Sequence, residues 1–231
     1  QELIPLPAES DIFLLPGRSA VGLDPESGQI NSLQELAVAA FISPGHTLTA
    51  FSAYISDANA SPLPLFAYGA VGYANGIFWV CAQKVDTDKR QQFQDIDIND
   101  IQKGARNLLK RFPENRLVHH LSKCALTYCC PAAKNLALGR YECPLPTARS
   151  CNAQCIGCIS KQPQNSDFPA TQQRIGFRPL PEEITEIMHA HAEKESNPIF
   201  SFGQGCEGEP LTEALLIQDA VKQFRDQGGK G

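Results

Sequence analysis

The chain has 231 residues, long enough for one large or two ordinary domains, with 20 Lys and Arg against 25 Asp and Glu and a net charge of −5. Charges of both signs are interspersed without a basic stripe, so nothing supports general affinity for nucleic acid or an anionic membrane. No apolar stretch approaches the ~20 residues needed to span a bilayer, and nine cysteines are too few, and odd in number, for a small disulfide-stapled scaffold.

Residues 1–95 read as a small β domain, a barrel or a sandwich. Leu3 to Leu15 supplies one strand, interrupted by Pro5 and Pro7 and therefore expected at an edge. Leu33–Ile55 and Pro64–Val85 carry most of the remaining apolar residues. Within the second, Ala67–Tyr73 and Ile77–Gln83 flank Ala74-Asn75-Gly76, and an Asn-Gly turn between two apolar runs is a strong hairpin signal. Trp79, the sole tryptophan, sits mid-hairpin among apolar neighbours and is expected in the core. His46 stands beside a Pro-Gly turn and carries no functional signal.

A helical connector follows over residues 96–140. Ile98, Ile101, Ala105, Leu108, Leu109 and Phe112 mark one helix face, and Pro113 ends it. Leu117, Val118, Leu121 and Ala125 mark a second short helix. His119 and His120 are adjacent on it, so they point to different faces and cannot chelate one ion together. Cys124, Cys129, Cys130 and Cys143 form a cysteine-rich patch; four thiols over so short a span suit an auxiliary iron–sulfur cluster in principle, but free cysteine is also a common small buried hydrophobe.

Residues 141–231 carry the strongest chemistry. Cys151, Cys155 and Cys158 stand in Cys-Asn-Ala-Gln-Cys-Ile-Gly-Cys, a C-x3-C-x2-C spacing. Three thiolates on one tight loop hold three irons of a [4Fe–4S] cube and leave the fourth iron free to bind another molecule. A helix is expected next, with Pro181 at N1, Glu182 and Glu183 in its first turn, and Ile184, Ile187, Met188, His191 and Ala192 at helical spacing. His191 on that apolar face reads as a core histidine rather than a catalyst. Pro198–Phe202 is a short apolar run bounded by Asn197 and Gly203, which reads as a buried strand. Gly208-Glu209-Pro210 follows at its C-terminal end, and Ile217, Ala220, Val221 and Phe224 mark a last helix. A zinc site is the plain alternative, with Cys143 or Cys206 as fourth ligand.

The order of cysteine loop, helix, strand, Gly-Glu-Pro and helix resembles the radical S-adenosylmethionine (SAM) superfamily. In that family the cysteine loop follows the first strand of a partial (β/α) barrel. The resemblance implies an α+β or α/β chain: an N-terminal β domain, a helical connector, and the beginning of a radical SAM barrel, of which later strands are expected beyond this span. It implies a [4Fe–4S] cluster on Cys151, Cys155 and Cys158, with SAM chelated at the open iron. One electron would cleave the sulfonium to methionine and a 5′-deoxyadenosyl radical that takes hydrogen from a substrate. Gly208, Glu209 and Pro210 match the segment that binds the SAM amino group, although Glu207 also stands near enough in sequence to take that role. Gly157 occupies a position that is usually aromatic. The implied partners are a reductant such as a ferredoxin or flavodoxin and a substrate that the sequence does not name. The implied setting is reducing, and hence cytoplasmic. The alternative function is an iron–sulfur electron-transfer or zinc-binding module without SAM chemistry. Pro144 and Pro146 argue against a central strand just before the cysteines, because each lacks the N–H a ladder needs.

Overall fold

The computed structural model describes residues 3–93 and 96–230. The chain divides into two compact units, one of residues 1–95 with 167–169 and one of residues 96–166 with 170–231.

The first unit is antiparallel. Its strands are β1 (Leu3–Pro5), β2 (Asp11–Leu23), β3 (Ile30–Phe41), β4 (His46–Leu48), β5 (Tyr54–Ser56), β6 (Gly69–Ala74) and β7 (Ile77–Lys84). They pair in the order β1-β7-β6-β3-β2-β5, with β4 also on β7. Among the described residues this path does not close into a barrel. The expected Leu3–Leu15 strand is two strands: β1 lies at the edge against β7, and β2 begins beyond Pro7 and pairs with both β3 and β5. The Asn75-Gly76 hairpin joins β6 to β7, and both turn residues adopt positive φ, +54° and +81°. Such φ values suit the right-handed strand twist, which is why Asn-Gly is favoured there. Successive residues Ala39 and Ala40 are fully buried but belong to different small clusters, one with Leu15 and Ala37 and the other with Val80 and Ala82. The period-two alternation of a strand places them on opposite faces. Trp79 is only half-buried, its indole N–H donating to the Ala74 carbonyl at 3.2 Å, so it is not the core residue its apolar neighbours suggest.

Among the described residues the second unit holds five α-helices and a two-stranded parallel sheet. Asp97 caps α1 (Ile98–Arg111) through the N–H of Asn99, and Asn115 caps α2 (Arg116–Leu126) through the N–H of Val118. The short helix α3 (Pro131–Leu138) starts with Pro131 at its first position and stops at Gly139, whose φ is +68°. It is too short and too rich in alanine to show a clear apolar period, so the sequence does not mark it. β8 (Glu142–Pro144) comes next, then a long irregular segment, α4 (Pro181–Ala192), β9 (Ile199–Ser201), a 3-10 turn (Pro210–Glu213) and α5 (Ala214–Asp226). One core joins the helices to the sheet through Leu117, Leu121, Cys143, Ile184, Ile187 and Phe224. His191 is buried in α4 with its ring edge-on to Phe200, and burial lowers its pKa, favouring the neutral ring.

β8 and β9 are parallel, joined by a crossover containing α4. The N–H of Ile199 donates to the Tyr141 carbonyl and the N–H of Leu145 to the Ser201 carbonyl, at 2.7 and 2.8 Å. Residues 141 and 145 therefore face β9 with their polar groups, and the place of the missing N–H of Pro144 faces the other way. The proline objection to a strand fails for that reason: with a single partner, the ladder loses nothing at Pro144. Among the described residues these two strands are the whole parallel sheet, and no closed barrel is formed.

The N-termini of α2 and α4 are laced together. Glu183 accepts from the Leu180 N–H at 2.7 Å and from the Arg116 side chain at 2.7 and 2.8 Å. Burial pushes the Glu183 carboxyl up, but the Arg116 guanidinium and the backbone N–H groups of Leu180 and Arg116 outweigh it and hold the group below its usual value. Helices α1 and α3 meet closely at Gly104, where a Cβ would collide with the Ala137 carbonyl of α3. Alanine is worth about 1 kcal/mol over glycine in a helix, yet forcing a methyl into closed packing costs about 1–3 kcal/mol. Gly104→Ala is therefore expected to lower the melting temperature. Asn107→Ala, at an exposed position of the same helix, should hold or raise it. A stabilised Gly104→Ala would show that α1 and α3 do not meet there.

Candidate metal centre

The cysteine loop hangs from two anchored ends. At its first end, the buried run Cys143–Ala148 leaves β8 and reaches the exposed Ser150 and Cys151. The segment after β9 lies directly alongside: the Gly208 N–H donates to the Ala148 carbonyl at 2.6 Å, and the Glu209 N–H to the Ser150 carbonyl at 3.0 Å. A Cβ on Gly208 would strike the Ser150 carbonyl oxygen, so only glycine permits this approach. The Gly208-Glu209-Pro210 segment and the residue next to Cys151 are therefore neighbours, although far apart in sequence.

Glu207 makes that juxtaposition rigid. Its side chain is buried, and one carboxylate oxygen accepts from the Thr147 N–H at 2.6 Å, the Thr147 hydroxyl at 3.1 Å and the Ala148 N–H at 2.9 Å. The other oxygen accepts from the N–H groups of Gly203 and Gln204, each at 2.8 Å. Buried donors need acceptors, and this carboxylate serves the segments leaving both strands at once. Glu207 is thus engaged in holding the site together. Glu209, which is less buried, accepts from the Leu211 N–H at 3.1 Å and so caps the 3-10 turn begun by Pro210.

At its far end the loop is held by side chains that the sequence does not single out. The Cys158 N–H donates to the Cys155 carbonyl at 3.2 Å, closing a turn. The amide nitrogen of Gln162 donates to the carbonyls of Ile156 and Cys158 at 3.0 and 2.7 Å. Arg174 reaches the Cys158 sulfur at 3.2 Å and the Ser160 hydroxyl at 3.2 Å. Burial raises the Cys158 pKa, but the N–H groups of Ser160 and Lys161, the Ser160 hydroxyl and the Arg174 charge together lower it on balance. These groups favour the thiolate form of Cys158 over that of a free cysteine. Cys151 and Cys155 are exposed, and Ile156 between the second and third cysteines is 83% exposed. Gly157 has open space where a side chain would stand.

A [4Fe–4S] cube suits this donor set. Each thiolate ligates a different iron of the cube, so the three sulfurs need to be further apart than ligands sharing one ion. Among the described residues the three loop cysteines do not form a group compact enough for a single ion.

The second cysteine patch is dispersed. Cys124 is buried on α2 and Cys143 in β8, Cys130 is half-buried at the start of α3, and Cys129 is exposed with φ +52°. Burial pushes the Cys143 thiol well up, as expected of an inert packed cysteine. Cys124 instead lies with His120 and Cys206, its sulfur 3.6 Å from His120 Nε2. The spacing His120-x3-Cys124 on a helix is the sequence signal for that contact, and it is hidden when the histidines are weighed only as a pair.

No model of a known protein family matches this chain, and no curated protein or solved structure matches it either.

The two glutamates are expected to separate by stability. Glu207→Ala strands several buried donors at about 1–3 kcal/mol each, so chemical denaturation should show a loss of at least about 3 kcal/mol. Glu209→Ala removes one cap, worth about 1 kcal/mol. Equal losses for the two variants would contradict the arrangement around Glu207.

Proposed function

We propose that this chain carries the cluster- and SAM-binding part of a radical SAM enzyme, with a [4Fe–4S] cluster on Cys151, Cys155 and Cys158. The observation that supports this reading most is the pairing of Gly208-Glu209 with Ala148–Ser150, immediately before Cys151. It sets the Gly-Glu-Pro segment and the cysteine loop side by side beyond the C-terminal ends of two parallel strands, where α/β enzymes gather their ligand sites.

The chain's own residues divide the work. Cys151, Cys155 and Cys158 would hold three irons, and Arg174 would offset part of the negative charge at the Cys158 thiolate. Gly208 lets backbone approach closely. With Glu207 committed to the backbone around both strands, Glu209 is the carboxylate left to accept from the SAM ammonium. When bound, the cluster supplies the electron that splits the sulfonium, and the radical chemistry is the cofactor's rather than the protein's. The reductant would be a low-potential carrier of the ferredoxin or flavodoxin type, and the hydrogen would come from the substrate.

Anaerobic reconstitution should give a brown protein with iron and sulfide in about equal amounts, as a cube requires. Replacing Cys151, Cys155 and Cys158 together with Ala should abolish the colour, and a full iron and sulfide load in that variant would refute the ligand assignment. In the reconstituted protein, Glu209→Ala should keep the cluster but weaken SAM binding in equilibrium dialysis. The expected loss is about 1.5–3 kcal/mol, the worth of a charge-assisted hydrogen bond. Unchanged affinity would remove Glu209 from the role.

A further inference from the structure

Away from the cysteine loop, α2 and the segment after β9 bring three metal-binding side chains to one point. His120 Nε2, Cys124 Sγ and Cys206 Sγ all lie within 4.8 Å of one another. His120 and Cys124 are one helical turn apart on α2, so both project toward the same neighbour. Cys206 comes from the other side, in the loop that also carries Glu207 and Gly208. Cys124 and Cys206 are buried, and His120 is half-buried with its ring edge-on to Phe177.

We propose that His120, Cys124 and Cys206 bind a zinc ion that pins α2 to the loop bearing the Gly-Glu-Pro segment. The donor set of one imidazole and two thiolates is the borderline-soft mixture that zinc takes. The spacing also fits: tetrahedral coordination at about 2.3 Å from sulfur and about 2.05 Å from nitrogen gives an N···S edge of about 3.6 Å. The observed His120–Cys124 separation is 3.6 Å. Water would complete the tetrahedron at the fourth position.

Zinc binding would displace the thiol protons of Cys124 and Cys206 and take a ring nitrogen of His120 as its third ligand. An ion here would act on the same loop that Glu207 braces, through the residue covalently next to it.

The zinc site is independent of the cluster proposal, and the Cys151/Cys155/Cys158→Ala variant, used as background, keeps the two apart. Purified under reductant and analysed by plasma mass spectrometry, that variant should hold about one zinc per chain. Cobalt(II) should replace the zinc and show the intense visible bands and thiolate charge transfer of a tetrahedral site. Adding Cys206→Ser should remove the zinc, and His120→Ala should weaken it at least about tenfold. If Cys206→Ser fails to fold, the cobalt spectrum of the background variant and its displacement by zinc decide the matter. Absence of tight zinc or cobalt binding with all thiols titratable would overturn the proposal. So would iron with sulfide at this place, or a Cys124–Cys206 disulfide that persists under reductant.

Discussion

The arrangement around the cysteine loop depends on one buried carboxylate. β8 and β9 are three residues each, and a two-stranded parallel pair that short has few ladder bonds with which to fix the segments beyond it. Glu207 supplies what the ladder lacks. It takes three donors from Thr147 and Ala148 beyond β8 and two from Gly203 and Gln204 beyond β9. Thr147 and Ala148 are buried, so leaving their donors without an acceptor is more costly than any single bond is favourable. The two post-strand segments consequently move as one, and Gly208 and Glu209 are delivered to the root of the cysteine loop as a fixed pair of backbone contacts.

That rigidity at the root contrasts with the loop itself. Cys151 and Cys155 are exposed, whereas Cys158 is tied down by Gln162, Ser160 and Arg174. A cluster ligated by three thiolates carries negative charge, and a guanidinium against one of them lowers the cost of assembling it. The proposed zinc site adds a second restraint to the same region, through Cys206, which is covalently next to Glu207.

Much of this was legible in the sequence, for identifiable reasons. Asn75-Gly76 marks its hairpin because few residue pairs accept two positive φ values, and α4 shows its buried face because Ile184, Ile187, Met188 and His191 repeat at helical spacing. The cysteine trio stands out by its spacing and Gly208-Glu209-Pro210 through the resemblance to the radical SAM superfamily, and their adjacency comes from a β8–α4–β9 crossover that the order of elements suggests. The features that were not legible depend on partners distant in sequence. Glu207 and Glu209 are two residues apart and chemically identical, and only the donors around Thr147 and Gly203 distinguish them. Arg174 and Gln162 lie in an irregular segment with no period to read. Pro144 argues against a strand unless it is known that β8 has a partner on one side only, and Trp79 lies in apolar company on a hairpin that leaves it half-exposed.

The central claim is that the three-cysteine loop and the Gly-Glu-Pro segment form a single SAM-binding centre. The most direct test is the electron paramagnetic resonance spectrum of the reconstituted protein, reduced anaerobically, with and without SAM. Coordination of SAM to the iron that lacks a protein ligand should change the g values of the reduced cluster. A cluster signal that saturating SAM leaves unchanged would contradict the account.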